Sequence, residues 1–337
     1  MLAAMRLLVL GGTVFLGHEV AAQAVAAGHE VTCAARGVSG TVPEGARLVV
    51  ADRDTPDGLS ALSGESFDAV IDVARRPSHV RHALAQLGDR VGHWVYVSSG
   101  SAYADNSVPG RTPADTPLLP PATPEQDDAV GANYGPAKVA CEQALSGAVE
   151  PERLFLCRVG LIVGPGDRFN RFDYWVSRLA RGGETLAPGA PDEWAQWVDV
   201  RDLATWLLHI AEQRLAGVYD GIGAPMRRGD FFAAIAAALG TQLSLTWVDQ
   251  DFLQEQGVNA WMGERSLPMW VPLPEYAGFM CRDVSGSLAA GLVTRPLADT
   301  VRDTWAWLPT AGDRSPASGI APADETALLT AFHAAHP

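Results

Sequence analysis

At 337 residues, 47% of them hydrophobic and 19% charged, the chain is long enough to bury a large core and too apolar to be disordered. Its formal charge of -14 creates a negative field that opposes nucleic acid and anionic membrane, leaving a small molecule as the expected partner. Cys33, Cys141, Cys157 and Cys281 form no CxxC pair and have no histidine at ligand spacing, so they read as reduced core thiols, with neither zinc nor disulfides expected. No run of about 18 apolar residues occurs, and the first apolar run, residues 7–10, passes straight into glycines, which is the reading of a cytoplasmic protein.

In chain order, residues 6–10 read as a strand ending at Gly11 and Gly12, followed by an alanine-rich helix over 18–27 that Gly28 stops. Further strands are expected over 30–34, 47–51 and 67–73, then a helix near 79–87 and a fifth strand over 94–97. Strands alternating with helices predict an α/β fold with a doubly wound parallel sheet that holds its ligand at the carboxyl ends of the strands. Residues 105–131 carry six prolines and fit neither an interior strand nor a helix, so they form either a lid or an inert excursion. A helix over 134–145, a sixth strand over 154–163 and a later one over 218–222 follow.

Beyond Gly164 the pattern loosens and tryptophans accumulate, at 175, 194, 197, 206, 247, 261 and 270. A smaller, interleaved C-terminal substrate lobe is expected there. The division is residues 5–165 for the nucleotide-binding part, with returns near 196–222, and 166–309 for the lobe. A linker and a last helix over 324–333 make up 310–337.

Gly11-Gly12-Thr13-Val14-Phe15-Leu16-Gly17 follows a strand and opens a helix, the setting in which bare backbone approaches a pyrophosphate and a helix N-terminus supplies N–H donors. Tyr134 and Lys138 stand four residues apart, on one face of a helix. A tyrosine with an ordinary pKa near 10 is a poor acid or base at neutral pH, and an adjacent ammonium stabilises its phenolate. With the fifth strand ending in Val97-Ser98-Ser99-Gly100-Ser101-Ala102-Tyr103, these features resemble the extended short-chain dehydrogenase/reductase family, in the epimerase/dehydratase-like subgroup with a GGTxFLG loop. Gly11 and Gly17 match the family's G-x-x-G-x-x-G, and Val14 replaces its middle glycine.

The resemblance implies a Rossmann domain in which Gly11, Thr13, Val14, Phe15, Leu16 and Gly17 hold the cofactor, Asp52 binds the adenine amino group, and Ala74 and Ile162 border the cofactor. Lys138 would hold the nicotinamide ribose, and Tyr134 would exchange the proton. Counting back from Tyr103 by the family's S-x-x-x-Y spacing selects Ser99 as the hydroxyl that steadies the substrate oxygen, ahead of Ser98 and Ser101. The end of the second strand carries no carboxylate for a ribose 2′-hydroxyl, and Arg36 is placed to pair a 2′-phosphate. NADP(H) is therefore the preferred cofactor, with NAD(H) as the alternative.

Residues 158–166 resemble the family's sixth-strand end with Val159 in place of a proline, and residues 197–203 resemble a landmark whose Asp199, Arg201 and Asp202 are expected to order the fold. Gly100 and Ser101 stand where dehydratases of the family carry Asp-Glu, which disfavours dehydration. Ala195 stands where its nucleotide-sugar enzymes carry a diphosphate-binding arginine, which lowers that substrate class. Ser101, Arg168, Arg171 and Tyr174 are the candidate substrate contacts, a mixture suited to a partly aromatic or anionic small molecule. The expected activity is NADPH-dependent reduction, or the reverse oxidation, of a non-nucleotide carbonyl. The alternatives are an epimerase with tightly held cofactor and, from another class, a non-catalytic RNA-binding or cofactor-sensing member. The resemblance also implies a homodimer through the helices near 79–87 and 134–145.

Overall fold

The computed structural model describes residues 4–312 and 318–336. Seven strands form one sheet: β1 (Arg6–Leu10), β2 (Glu30–Ala35), β3 (Arg47–Val50), β4 (Ala69–Asp72), β5 (Trp94–Ser99), β6 (Leu154–Val159) and β7 (Gly217–Gly221). All pairings are parallel, in the order β7-β6-β5-β4-β1-β2-β3. The order reverses between β1 and β4, the switch point at which an open sheet of this kind leaves a crevice for a ligand. Helices of ten residues or more are α1 (Phe15–Ala26), α2 (Pro77–Leu87), α3 (Tyr134–Ser146), α4 (Arg171–Ala180), α5 (Val200–Gln213), α6 (Arg228–Leu239), α7 (Leu297–Trp307) and α8 (Pro322–Ala335).

Strand alternation explains the layers. Leu7 and Val9 of β1 join Val20, Ala24, Leu203 and Leu207 of α1 and α5 in one core, whereas Leu8 and Leu10 join Val80, Ala83, Cys141 and Leu145 of α2 and α3 in another. Strands covered on both sides are apolar throughout, which is why the middle of the sheet reads as short hydrophobic runs. All four cysteines are buried and unpaired. No helix among the described residues is long and apolar enough to cross a membrane.

Two boundaries differ from expectation by three residues or more. The first helix begins at Phe15, three residues before the alanine-rich stretch, because the glycine turn itself leads into it. The sixth strand stops at Val159: Gly160 lies so close to Ile222 that a Cβ there would stand 2.1 Å from its Cδ1, and the chain leaves the sheet. Ile162–Val163 pairs instead with Val198–Asp199.

The second lobe has its own core, in which Phe172, Trp175, Phe231, Phe232 and Trp270 meet between α4, α6 and α7. The C-terminal segment folds back onto it: Leu328 and Leu329 of α8 are buried there, and Glu325 receives Arg178 Nε at 2.6 Å and Arg181 at 3.0 Å. Residues 313–317 of the expected linker lie outside the described residues. The proline-rich stretch is a wall between the lobes. Gly110 N–H donates to Cys281 O at 2.7 Å, Gly278 N–H to Asn106 O at 2.7 Å, and Asp283 N–H to Arg111 O at 3.1 Å.

Candidate active site

The glycine turn at the end of β1 requires its glycines. Gly11 has φ +105°, and a Cβ on Gly17 would lie 2.3 Å from the Gly11 carbonyl oxygen, so α1 approaches the strand as only glycine permits. Val14 occupies the N-cap in an extended conformation, with no side-chain hydrogen bond, leaving the first N–H groups of α1 to an incoming anion. Phe15, at φ +42°, turns its ring into the crevice, and Leu16 packs into the core beneath, so Leu16 can serve a ligand through its backbone only. The loop after β2 lies across the turn: a Cβ on Gly40 would stand 2.3 Å from Thr13 O.

At the carboxyl end of β2, Arg36 is exposed, and among the described residues its one ion pair is to Asp54 at 3.8 Å. Asp54 is also held by Arg76 at 2.5 Å and His79 at 2.8 Å. Asp52 uses one carboxylate oxygen to accept the Asp54 N–H at 3.0 Å, closing a turn. Ala74 is more than a bystander: its carbonyl accepts from both Lys138 Nζ at 2.6 Å and the Tyr96 hydroxyl at 3.0 Å.

Lys138 is buried, and its ammonium also donates to Val97 O at 2.6 Å, which fixes it behind β4 and β5 with one N–H still to place. It lies 4.8 Å from the Tyr96 ring centroid and 6.0 Å from that of Tyr134. Tyr134 and Ser99 both line one cavity of about 610 Å³, together with Ser101, Ile162 and Phe15. Ser101 N–H donates to Ser99 Oγ at 3.1 Å, which orients that hydroxyl. Ser98 is turned away, bonding Glu142 in the interior. These residues fit a nicotinamide cofactor: a turn that admits no Cβ at its near end, and a buried cation with a spare donor at its far end.

Of the other candidates, Arg171 lines the cavity, but Arg168 and Tyr174 do not. Arg168 is exposed and donates to Ser39 O at 2.9 Å, so it fastens the loop over the glycine turn. Tyr174 sits in the lobe core, edge-on to Trp175 at 4.9 Å, because α4 turns its apolar face inward there. Asp199 caps α5 through the Arg201 N–H at 2.9 Å and Asp202 pairs Arg295 at 2.8 Å, the ordering role expected of them.

Several wall residues carry a sequence signal that the motif reading passes over, namely a charge inside an apolar strand. Arg158, within β6, makes a paired contact with Glu142 at 2.7 and 3.0 Å. Asp220, within β7, accepts from Arg282 Nε at 2.9 Å and from the Tyr103 hydroxyl at 2.6 Å. Burial, with the Asp220 charge beside it, pushes the Tyr103 phenol above its ordinary range. Trp261, Phe279 and Met280 come from the irregular half and close the cavity from the other side. No pattern in the sequence marks them.

The model of the NAD dependent epimerase/dehydratase family matches residues 7–220. The chain belongs to this family. It is accordingly an NAD(P)-dependent enzyme of the oxidoreductase type. The 2′-dehydrokanamycin reductase of Streptomyces kanamyceticus is 26% identical over 265 residues, covering 75% of this chain and 72% of the relative. Among solved structures, Bordetella bronchiseptica WbmG in complex with NAD and UDP has a TM-score of 0.65 at 16% identity, covering 93% of this chain and 97% of that one. The UDP-N-acetylglucosamine 4-epimerase of Bacillus cereus gives 0.64 at 17%, covering 92% and 100%. At these identities the two structures share the fold with this chain.

Proposed function

We propose that this enzyme is an NADPH-dependent reductase, or the reverse dehydrogenase, acting on a carbonyl or hydroxyl of a small non-nucleotide molecule. The observation that carries the reading is the buried Lys138 ammonium, anchored on Ala74 and Val97, beside a cavity that Tyr134 and Ser99 share. Bound nicotinamide would supply the hydride. Tyr134 gives the proton to the substrate oxygen, Lys138 favours the phenolate left behind, and Ser99 donates to the same oxygen as its charge develops. Gly11, Thr13, Val14, Gly17 and the N–H groups of Phe15 and Leu16 hold the pyrophosphate, Asp52 the adenine, and Ile162 the nicotinamide edge.

The preference for NADP(H) rests on Arg36, whose weak, exposed pairing leaves it available to a 2′-phosphate. The non-nucleotide substrate is supported by Ala195, buried where a diphosphate arginine would be needed, and by the reductase named among the relatives. The family itself favours a second reading, an epimerase that oxidises and re-reduces one centre with retained cofactor.

Titration of the purified protein with NADPH and NADH, read by tryptophan fluorescence, separates these. NADPH is expected to bind more tightly, and Arg36→Ala to weaken it about 10- to 100-fold while leaving NADH unchanged, the value of a charge-assisted contact to phosphate. Copurified, non-exchanging NAD without net turnover would replace the reductase by the epimerase. Binding of neither nucleotide would overturn both.

A further inference from the structure

The charges in the cavity wall do not balance. Four arginines and one aspartate line it: Arg75, Arg158, Arg171, Arg282 and Asp220. Arg158 is neutralised by Glu142, and Arg282 by Asp220 at 2.9 Å. Arg75 and Arg171 make no ion pair among the described residues, so each reaches the cavity with no carboxylate bound to it.

Arg171 is the informative one. Its guanidinium lies between aromatic rings, 5.0 Å from the Phe169 centroid and 5.5 Å from that of Trp261. Its Nε is shielded from solvent and has no hydrogen-bond partner. The carboxylates of Asp167 and Asp173 favour its charged form, and Tyr134 lines the same cavity. A half-buried guanidinium with an unmade bond costs free energy unless an anion completes it. The buried arginines Arg158, Arg178, Arg228 and Arg282 each have a carboxylate.

We infer that the substrate carries an anionic group, a carboxylate or a phosphate monoester, on an aromatic or apolar body, and that Arg171 receives the anion. This rests on the reductase reading above and specifies its substrate class. The rest of the wall suits the body of such a molecule: Phe15, Leu161, Ile162, Trp261, Phe279 and Met280. Arg171 and Tyr134 line one cavity, so the anion and the reacting carbonyl belong to the same bound molecule. A polycationic substrate would meet the Arg75 and Arg171 guanidiniums in a wall whose one carboxylate, Asp220, is taken by Arg282, so selectivity departs from that of an aminoglycoside reductase.

The test uses the full-length protein loaded with whichever nicotinamide cofactor it binds, followed by calorimetric titration with phenylacetate, cinnamate and phenyl phosphate. Phenylacetamide, cinnamamide and 2-deoxystreptamine serve as the neutral and cationic counterparts. At least one acid is expected to bind about tenfold or more tightly than its amide, or phenyl phosphate than benzyl alcohol, and the stronger anion identifies the headgroup. Arg171→Met should erase that preference and leave cofactor affinity unchanged, with Arg171→Lys restoring part of it. Cofactor binding with no anion preference in the wild-type protein overturns this inference alone, as does tighter binding of 2-deoxystreptamine. Loss of cofactor affinity in Arg171→Met also overturns it, since Arg171 would then serve the cofactor's phosphates. Failure of the wild-type protein to bind cofactor overturns the reading beneath it.

Discussion

Tyr134 is a half-buried phenol at the first turn of α3, and everything proposed for it depends on the ammonium four residues later being held in place. Ala74 and Val97 do that with two carbonyls from neighbouring strands. Removing the phenolic oxygen takes away the proton donor and nothing that supports the fold, so Tyr134→Phe is expected to lower kcat by about 10²–10⁴ with cofactor affinity unchanged, measured under saturating NADPH. The spacing of Tyr134 and Lys138 is legible in sequence because helix geometry alone brings i and i+4 together. The pairings of Arg158 with Glu142 and of Arg282 with Asp220 are not, because partners 16 and 62 residues apart meet only through the strand order. Arg168 and Arg171 illustrate the same limit. Two arginines three residues apart are equivalent in sequence, yet the start of α4 sends one to the Ser39 carbonyl and the other into the cavity.

At the scale of elements, the glycine turn and the alternation of apolar runs make β1 to β5 and their helices readable, since β1, β4 and β5 are buried on both faces and only the edge strand β3 is largely exposed. The end of β6 is not readable, because Val159 to Val163 is apolar throughout and only the contact of Gly160 with Ile222 stops the strand. The start of β5 carries a different cost. His93, immediately before it, is fully buried, and burial, aided by the Arg214 and Arg153 charges, holds its imidazole down at about 4 against an ordinary 6.5. A folded value below the unfolded one means that only the unfolded chain takes up the proton between those pH values. Stability therefore falls as pH drops from 6.5 through 4, by up to about 3 kcal/mol. Chemical denaturation at pH 7 and pH 4.5 should show that loss in the native protein, and His93→Gln should reduce it.

Across the whole molecule, the sheet with a core on each face is joined by a wall to the lobe's own core, which the chain's last helix completes. Glu325 of α8 is buried against Arg178, Arg181 and the Leu186 N–H, so Glu325→Ala leaves a buried guanidinium without its carboxylate. An expected loss of about 3–5 kcal/mol, read from urea unfolding, follows, although the cavity lies elsewhere. The cavity itself is assembled from three stretches of chain, the middle one, residues 158–222, supplying Ile162, Arg171 and Asp220. Tyr134, Lys138, Ser99 and the glycine turn all precede residue 140, whereas Trp261, Phe279, Met280 and Arg282 follow residue 260 and are stitched to the proline-rich wall by backbone hydrogen bonds. The reactive hydroxyls and the aromatic far wall thus lie on different parts of the polypeptide, with Arg171 between them in sequence. Exchange of the late segment between relatives can retarget such an enzyme while its reactive machinery stays as it was.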